Sequence, residues 1–223
     1  MRALVVWAHP QLDSFSGALC RTATSALERA GHDVEVLDLY RDGFDPVMSR
    51  EEWQAYRRCE SRLDEVTGAH AAAVAAAELL VFVYPTWWSG LPAILKGWLE
   101  RVLVPGVAFE VVPGKGIRPR LTDLRHLVGV STYGATRPAI LLQGDAGRRM
   151  VLRSLRLSCG PRCRSTWLGL YDIERTTRAQ RAAFLARVDA VLGDRPRPPC
   201  TTLRPWRARA GATAPAIAPT SPS

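Results

Sequence analysis

The sequence predicts an α/β fold: a doubly wound, five-stranded parallel sheet with helices on both faces. Three observations predict it. Five short apolar runs recur along the chain, "ALVVWA" at 3–8, "DVEVLDLY" at 33–40, "LLVFVY" at 79–84, "HLVGVST" at 126–132 and "STWLGLY" at 165–171. Several are near-continuous instead of alternating, as in strands buried on both faces. Segments with helical spacing separate them, and strict strand–helix alternation is how a chain builds a parallel sheet by crossovers.

Each element has a local reason. After the first strand, Leu19, Ala23, Leu27 and Ala30 fall on one helix face, and Gly31 stands where a left-handed C-terminal residue is wanted. Residues 50–76 are read as helical. After the third strand Pro92 suits a first helical turn, where its missing N–H costs little, and Leu95, Trp98, Leu99 and Val102 form the buried stripe. Residues 145–157 are read as a helix before the fifth strand. Thr176 or Thr177 caps a last helix with Leu185, Val188 and Leu192 inward. No internal repeat is present. From Gly193 the chain turns rich in Pro, Ala and Arg, with Trp206 its one candidate for docking. Such a composition buries too little to offset its ordering entropy, so 193–223 is read as a disordered tail.

Composition narrows the function. The 223 residues carry a formal charge of +9, almost all of it from Arg, with Lys only at Lys96 and Lys115. The basic residues are spread along the chain and nowhere interleave with aromatics, which argues against a nucleic-acid groove. The first apolar run is too short for a signal peptide, and the Ala-rich stretch to Val83 contains Glu78 and does not read as a membrane span. A cytoplasmic protein without membrane insertion is expected. Cysteines at 20, 59, 159, 163 and 200 show no disulfide framework. "CGPRC" at 159–163 has one residue more than a C-x-x-C redox turn, so two reduced thiols are expected there. No metal site is read.

In a doubly wound sheet, ligands bind at the carboxyl edge near the switch point, which directs attention to three loops. The first, "HPQLDSFSGAL" from His9, enters a helix whose free N–H groups and dipole favour a phosphate. Ser14 and Ser16 either add donors or cap the helix; His9 is either a ligand contact or a turn residue. There is no G-x-G-x-x-G and no P-loop, which leaves Asp38 at the end of the second strand without support as a ribose-binding acid. The second loop, "YPTWWSGLP", has Pro85 at the strand exit and then exposes Thr86, Trp87, Trp88 and Ser89. Two indoles beside backbone amides suit a flat aromatic ligand; packing in a core or subunit interface is the alternative. The third, "STYGATRP", offers Ser131, Thr132, Tyr133 and Gly134 to the other side of the same space.

Together these motifs resemble the flavodoxin-like NAD(P)H:quinone oxidoreductase family. "YPTWWSGLPAILKGWLERV" is similar to that family's isoalloxazine-binding loop and following helix, "HP…SFSGAL" to its flavin-phosphate loop, and "DLYRDGFDPVMS" and "GVAF" to its connecting segments. The resemblance covers 1–192, read as a flavodoxin-like flavin-binding domain. It implies that Thr86, Trp87, Trp88 and Ser89 hold the ring, that His9, Phe15 and Ser16 meet the ribityl phosphate, and that Ser131, Thr132, Tyr133 and Gly134 border the pyrimidine end. Arg181 falls where some members place a basic contact.

The resemblance further implies bound FMN or FAD, NAD(P)H as co-substrate, a quinone or an azo or nitro aromatic as acceptor, ping-pong kinetics, and a homodimer in which Tyr133 or the flap around 105–120 shapes the substrate space. Mammalian members carry a tyrosine and a histidine after the fourth strand; here "RPAILLQGDAGRRM" has neither, and no proton donor is assigned. Asp145 in that segment is read as a loop or helix-capping residue. Some relatives are instead ancillary subunits of potassium-efflux transporters, which gives a second, regulatory reading with a membrane-transporter contact. A one-electron flavodoxin carrier is a third reading, and the +9 charge suits it poorly.

Overall fold

A computed structural model describes residues 1–194. Five parallel strands, β1 (Arg2–Trp7), β2 (Asp33–Asp38), β3 (Leu79–Pro85), β6 (His126–Thr132) and β7 (Arg164–Leu170), form one sheet in the order β2-β1-β3-β6-β7. An antiparallel hairpin, β4 (Phe109–Val112) with β5 (Gly116–Pro119), stands apart from it. The predicted fold class is observed, and all five predicted strands are present.

The alternation of side chains explains the continuous apolar runs. Ala3, Val5 and Trp7 of β1 face one buried cluster, while Leu4 and Val6 face the other. The first cluster is covered by α1 (Phe15–Arg29) and α7 (Arg178–Gly193) through Leu19, Ala23, Leu27, Phe184, Val188 and Leu192. The second is covered by α3 (Glu65–Ala76) and α4 (Ala93–Val102), with Val74, Leu95 and Trp98 packed over Leu80 and Phe82. A strand with a helix layer on either side needs an apolar residue at every position.

Capping residues set the helix ends. Ser14 accepts from Gly17 N–H, and Gly31 has φ +81° just beyond α1, as the left-handed exit requires. Thr177, of the two candidates, caps α7 in a reciprocal pair with Gln180. Several boundaries differ from the expectation. Residues 50–76 break into α2 (Arg50–Arg57) and α3, because Ser49 and Asp64 each start a capping box. Pro92 sits at the N-cap, outside the helix. Residues 145–157 form an uneven stretch: α6 (Ala146–Arg149) leads into a π-helical turn (Met150–Ser154) and a 3-10 turn (Leu155–Ser158). A short helix, α5 (Arg137–Leu142), follows β6, and the flap at 105–120 contains the β4–β5 hairpin. Helix α7 runs through Gly193, one residue beyond the predicted domain end; the rest of the predicted tail after Asp194, Trp206 included, lies outside the described residues. Among the described residues no helix is long and apolar enough to cross a membrane.

Candidate active site

β1 and β3 are neighbours in register, Trp7 opposite Val83, yet their chains leave in opposite senses: β1 leads to β2 on one side, β3 to β6 on the other. That divergence opens the crevice of a doubly wound sheet. All thirteen predicted site residues lie on the three loops at this edge or on the strand and helix ends that flank them: His9, Ser14, Phe15 and Ser16 after β1, Pro85 to Ser89 from the end of β3, and Ser131 to Gly134 from the end of β6.

The loops are tied to one another. Thr86 N–H donates to Thr132 C=O at 2.7 Å, and the Thr86 and Ser131 hydroxyls are 2.9 Å apart. The rings of His9 and Trp87 lie 6.1 Å apart, joining the first loop to the second. The His9 ring accepts from Gln11 N–H at 3.0 Å, so it also organises its own turn.

The helix-entry loop leaves backbone donors for a ligand and commits its side chains inward. Ser14 Oγ accepts from Gly17 N–H and donates to Gln11 C=O. Ser16 Oγ is buried and accepts from Trp7 Nε1 at 3.1 Å. Phe15 packs on the α1 side of the sheet. Among the described residues the N–H groups of Phe15 and Ser16 meet no protein acceptor, and they stand at the positive end of α1. The Leu12 carbonyl lies over Gly17, where a Cβ would come within 2.0 Å of it, and Arg21 donates to the same carbonyl at 3.0 Å. Arg21 thus brings a cation to a helix N-terminus, a contact that sequence spacing alone does not reveal.

The tryptophan loop is a tight turn. Trp87 and Gly90 exchange backbone bonds at 3.2 and 3.0 Å, and both central residues are left-handed, Trp88 at φ 48° and Ser89 at φ 60°. Such turns ordinarily use Asn-Gly or Gly. A side chain there costs about 1–2 kcal/mol per residue, and strain of this kind gathers at functional sites. Among the described residues Trp88 and Ser89 N–H have no protein acceptor, and Trp88 is 101% exposed. Ser89 Oγ donates to Gln143 Oε1 just past α5, a second contact the sequence did not announce.

Beneath the third loop, Tyr133 turns away from the surface. It is 1% exposed, stacks on Tyr171 with centroids 4.5 Å apart, and donates to Asp145 Oδ1 at 3.0 Å. Of this residue only the backbone borders the crevice. Burial and then the Asp145 charge hold the Tyr133 phenol above its ordinary range, and the same two causes act on Tyr84, so both stay protonated. Asp145 occupies an N-cap position, left-handed at φ 44°, but makes no capping bond; Tyr133 is its partner. Gly134 is exposed at the loop tip. Arg181 is engaged locally, donating to Thr176 Oγ1 at 2.9 Å and Ile173 C=O at 3.1 Å.

Free amide donors on two loops, a phosphate-type helix entry and exposed indoles, at the switch point of a sheet in this order, define a flavodoxin-like protein. The chain belongs to the Flavodoxin_2 family, described by its flavodoxin-like fold, whose model matches residues 1–192. It is 40% identical over 151 residues to NAD(P)H dehydrogenase [quinone] 1 of Rattus norvegicus, covering 60% of this chain and 54% of that protein. The same protein of Cavia porcellus is 41% identical over 125 residues, 48% of this chain and 45% of the relative. The chain therefore spans about half the length of the curated relatives it matches. The structure of NAD(P)H:quinone oxidoreductase from Methanothermobacter marburgensis superposes with a TM-score of 0.73 at 28% identity, covering 87% of this chain and 98% of that one. The resemblance drawn from the sequence motifs is thus borne out at the level of family and fold.

Proposed function

We propose that this chain binds a flavin, FMN or FAD, at the three loops and uses it to pass two electrons from NAD(P)H to a quinone or similar aromatic acceptor. The observation that carries the reading is the left-handed Trp88–Ser89 turn, beside a helix entry with free N–H groups. The relatives' names point the same way, since the rat and guinea-pig proteins are NAD(P)H dehydrogenases of quinones.

The donor set fits such a cofactor. Phe15 and Ser16 N–H with Arg21 would take the phosphate, and His9 would stand at the junction of loops one and two. Trp88 and Ser89 N–H would meet the ring's acceptors, with Trp87 as a wall. The backbone of Ser131 to Gly134 would close the far end. When bound, the flavin supplies the hydride relay between nicotinamide and quinone. The protein's share is to keep these donors in place before any substrate arrives, so that no reorganisation is needed during the reaction. Trp88 and Leu142, at 101% and 92% exposure, each precede a partner of the Ser89–Gln143 contact; a second copy of the chain is proposed to cover them.

The test is direct. The purified protein should show the visible spectrum of oxidised flavin, and chromatography of the released cofactor should identify FMN or FAD at one per chain. Trp87→Ala should weaken flavin binding by about tenfold or more, equal to at least roughly 1.4 kcal/mol. Initial rates at several quinone concentrations should give parallel double-reciprocal lines. A colourless protein that fails to bind either flavin on titration would overturn the reading.

A further inference from the structure

The "CGPRC" segment lies at the opposite edge of the sheet from the crevice, where the chain enters β7. The 3-10 turn at Leu155–Ser158 ends at Cys159, which is extended at φ −98° and ψ 161° and is bridged to Leu121. The chain then reverses, with Cys163 N–H bonded to Gly160 C=O at 3.1 Å, and β7 begins at Arg164. The two cysteines flank that reversal. Their side chains enter the same apolar cluster, and each thiol has a backbone carbonyl within reach, Leu155 at 3.5 Å and Arg164 at 3.4 Å. Both thiols are buried, while Pro161 and Arg162 between them are exposed, and Arg156 donates to Pro161 C=O at 2.9 Å, which places a guanidinium at the turn.

We propose that Cys159 and Cys163 form a redox-reactive dithiol that a hydroperoxide converts to an intrachain disulfide. The reversal at Gly160–Cys163 folds the chain back on itself and both side chains enter one cluster, so the extra residue relative to a C-x-x-C turn still lets the sulfurs meet. We assign Cys163 as the attacking sulfur: contact with the Cys159 thiol holds its thiol below the ordinary range against the opposing effect of burial, and the Arg156 charge favours a thiolate at either sulfur. Cys159, by that contact and by burial, stays a thiol. The steps balance. The Cys163 thiolate attacks one peroxide oxygen, the O–O bond breaks, and the leaving oxygen takes a proton as water or alcohol. The resulting sulfenic acid is attacked by the Cys159 sulfur; the S–O bond breaks, water leaves, and the S–S bond forms. Overall, two thiols and one hydroperoxide give a disulfide, a water and a second water or an alcohol. Cysteine disulfides that form and break in this way act as redox sensors.

The experiment uses the full chain, reduced and then freed of reductant. It is treated with graded hydrogen peroxide, alkylated under denaturing conditions and digested with trypsin. The expected product is peptide 157–162 linked to peptide 163–164, removed by prior reduction, at peroxide doses that leave the exposed Cys59 alkylatable. In Cys159→Ser the reaction should stop at a sulfenic acid on Cys163, trapped by dimedone; in Cys163→Ser, Cys159 should stay unlabelled. Cys159 and Cys163 both alkylatable at doses that oxidise Cys59 would overturn the proposal, and the wild-type measurement alone decides this if either variant fails to fold. Equal dimedone labelling of Cys159 in Cys163→Ser would overturn the assignment of the attacking sulfur. None of these readouts depends on a flavin.

Discussion

Arg101, on α4 directly after the crevice loop, should be the most damaging single charge to remove. Its side chain is 8% exposed. The guanidinium reaches Glu52 at 2.8 Å, Asp64 at 2.8 Å and the Asp45 carbonyl, and lies over the Phe44 ring at 5.5 Å. Glu52 is itself only 11% exposed, whereas Asp64 is 53% exposed and keeps its water. Arg101→Met therefore strands one buried carboxylate. Breaking a buried pair from one side costs about 3–5 kcal/mol, while replacing both partners by apolar or neutral groups is close to neutral. Arg101→Met alone should lose about that much, roughly 6–20 °C in Tm for a domain of this size. Adding Glu52→Gln should recover more than half. Urea unfolding followed by tryptophan fluorescence supplies the numbers for all four corners of the cycle. The rescue should persist at high salt, since a buried pair is weakly screened. If Arg101→Met costs less than about 1 kcal/mol, or if the two substitutions simply add, the pair is not energetically buried and the reasoning fails.

Three further outcomes follow from the same geometry. Gly17→Ala places a Cβ 2.0 Å from the Leu12 carbonyl, so the loop before α1 must move; a stability loss of about 1–3 kcal/mol is expected, with flavin affinity falling in parallel, and an unchanged affinity would separate this loop from the site. Ser89 is left-handed at φ 60°, so Ser89→Gly should be more stable than Ser89→Ala by about 1–2 kcal/mol, the reverse of the usual order, and equal stabilities in urea would refute the strain. His70, His126 and His32 are each held below the ordinary histidine range, chiefly by burial, and Trp98 Nε1 donates to His70 Nδ1 at 3.2 Å; the unfolded chain therefore takes up protons the folded one refuses, so stability present above about pH 6.5 is lost as pH falls below it, and His70→Gln should flatten that slope.

The sheet was legible because burial on two faces writes itself into each strand. Val5 and Val6 point to opposite sides and are both apolar, which an alternating edge strand would not show. Helix starts were legible where a single side chain does the capping, as Thr177 does. The hairpin was not, because all four β5 residues are exposed and carry no pattern to read. The irregular stretch after α5 begins at a left-handed Asp145 that accepts from Tyr133 of the neighbouring loop, a tertiary contact that local sequence does not show. Arg101 was hidden for the same reason: on α4 it reads as one more surface arginine, and its partner Glu52 is 49 residues away.

The site shows a division of labour that explains both what was and what was not readable. The motif residues were found because strand ends and loops locate the crevice, and the crevice is a property of the sheet. Several of their side chains turn inward. Ser14, Ser16 and Tyr133 spend their hydrogen bonds on Gly17 and Gln11, on Trp7, and on Asp145. The donors that remain for a ligand are main-chain N–H groups at Phe15, Ser16, Trp88 and Ser89. Backbone amides hold their direction better than serine hydroxyls, which rotate. The inward-turned side chains fix those amides, and the left-handed turn at Trp88 and Ser89 is the local cost of doing so, about 1–2 kcal/mol per residue. An Asn-Gly turn would remove that cost while keeping the amides. It would also remove the indole and the Ser89–Gln143 contact, the side chains that the proposed flavin and second subunit would meet.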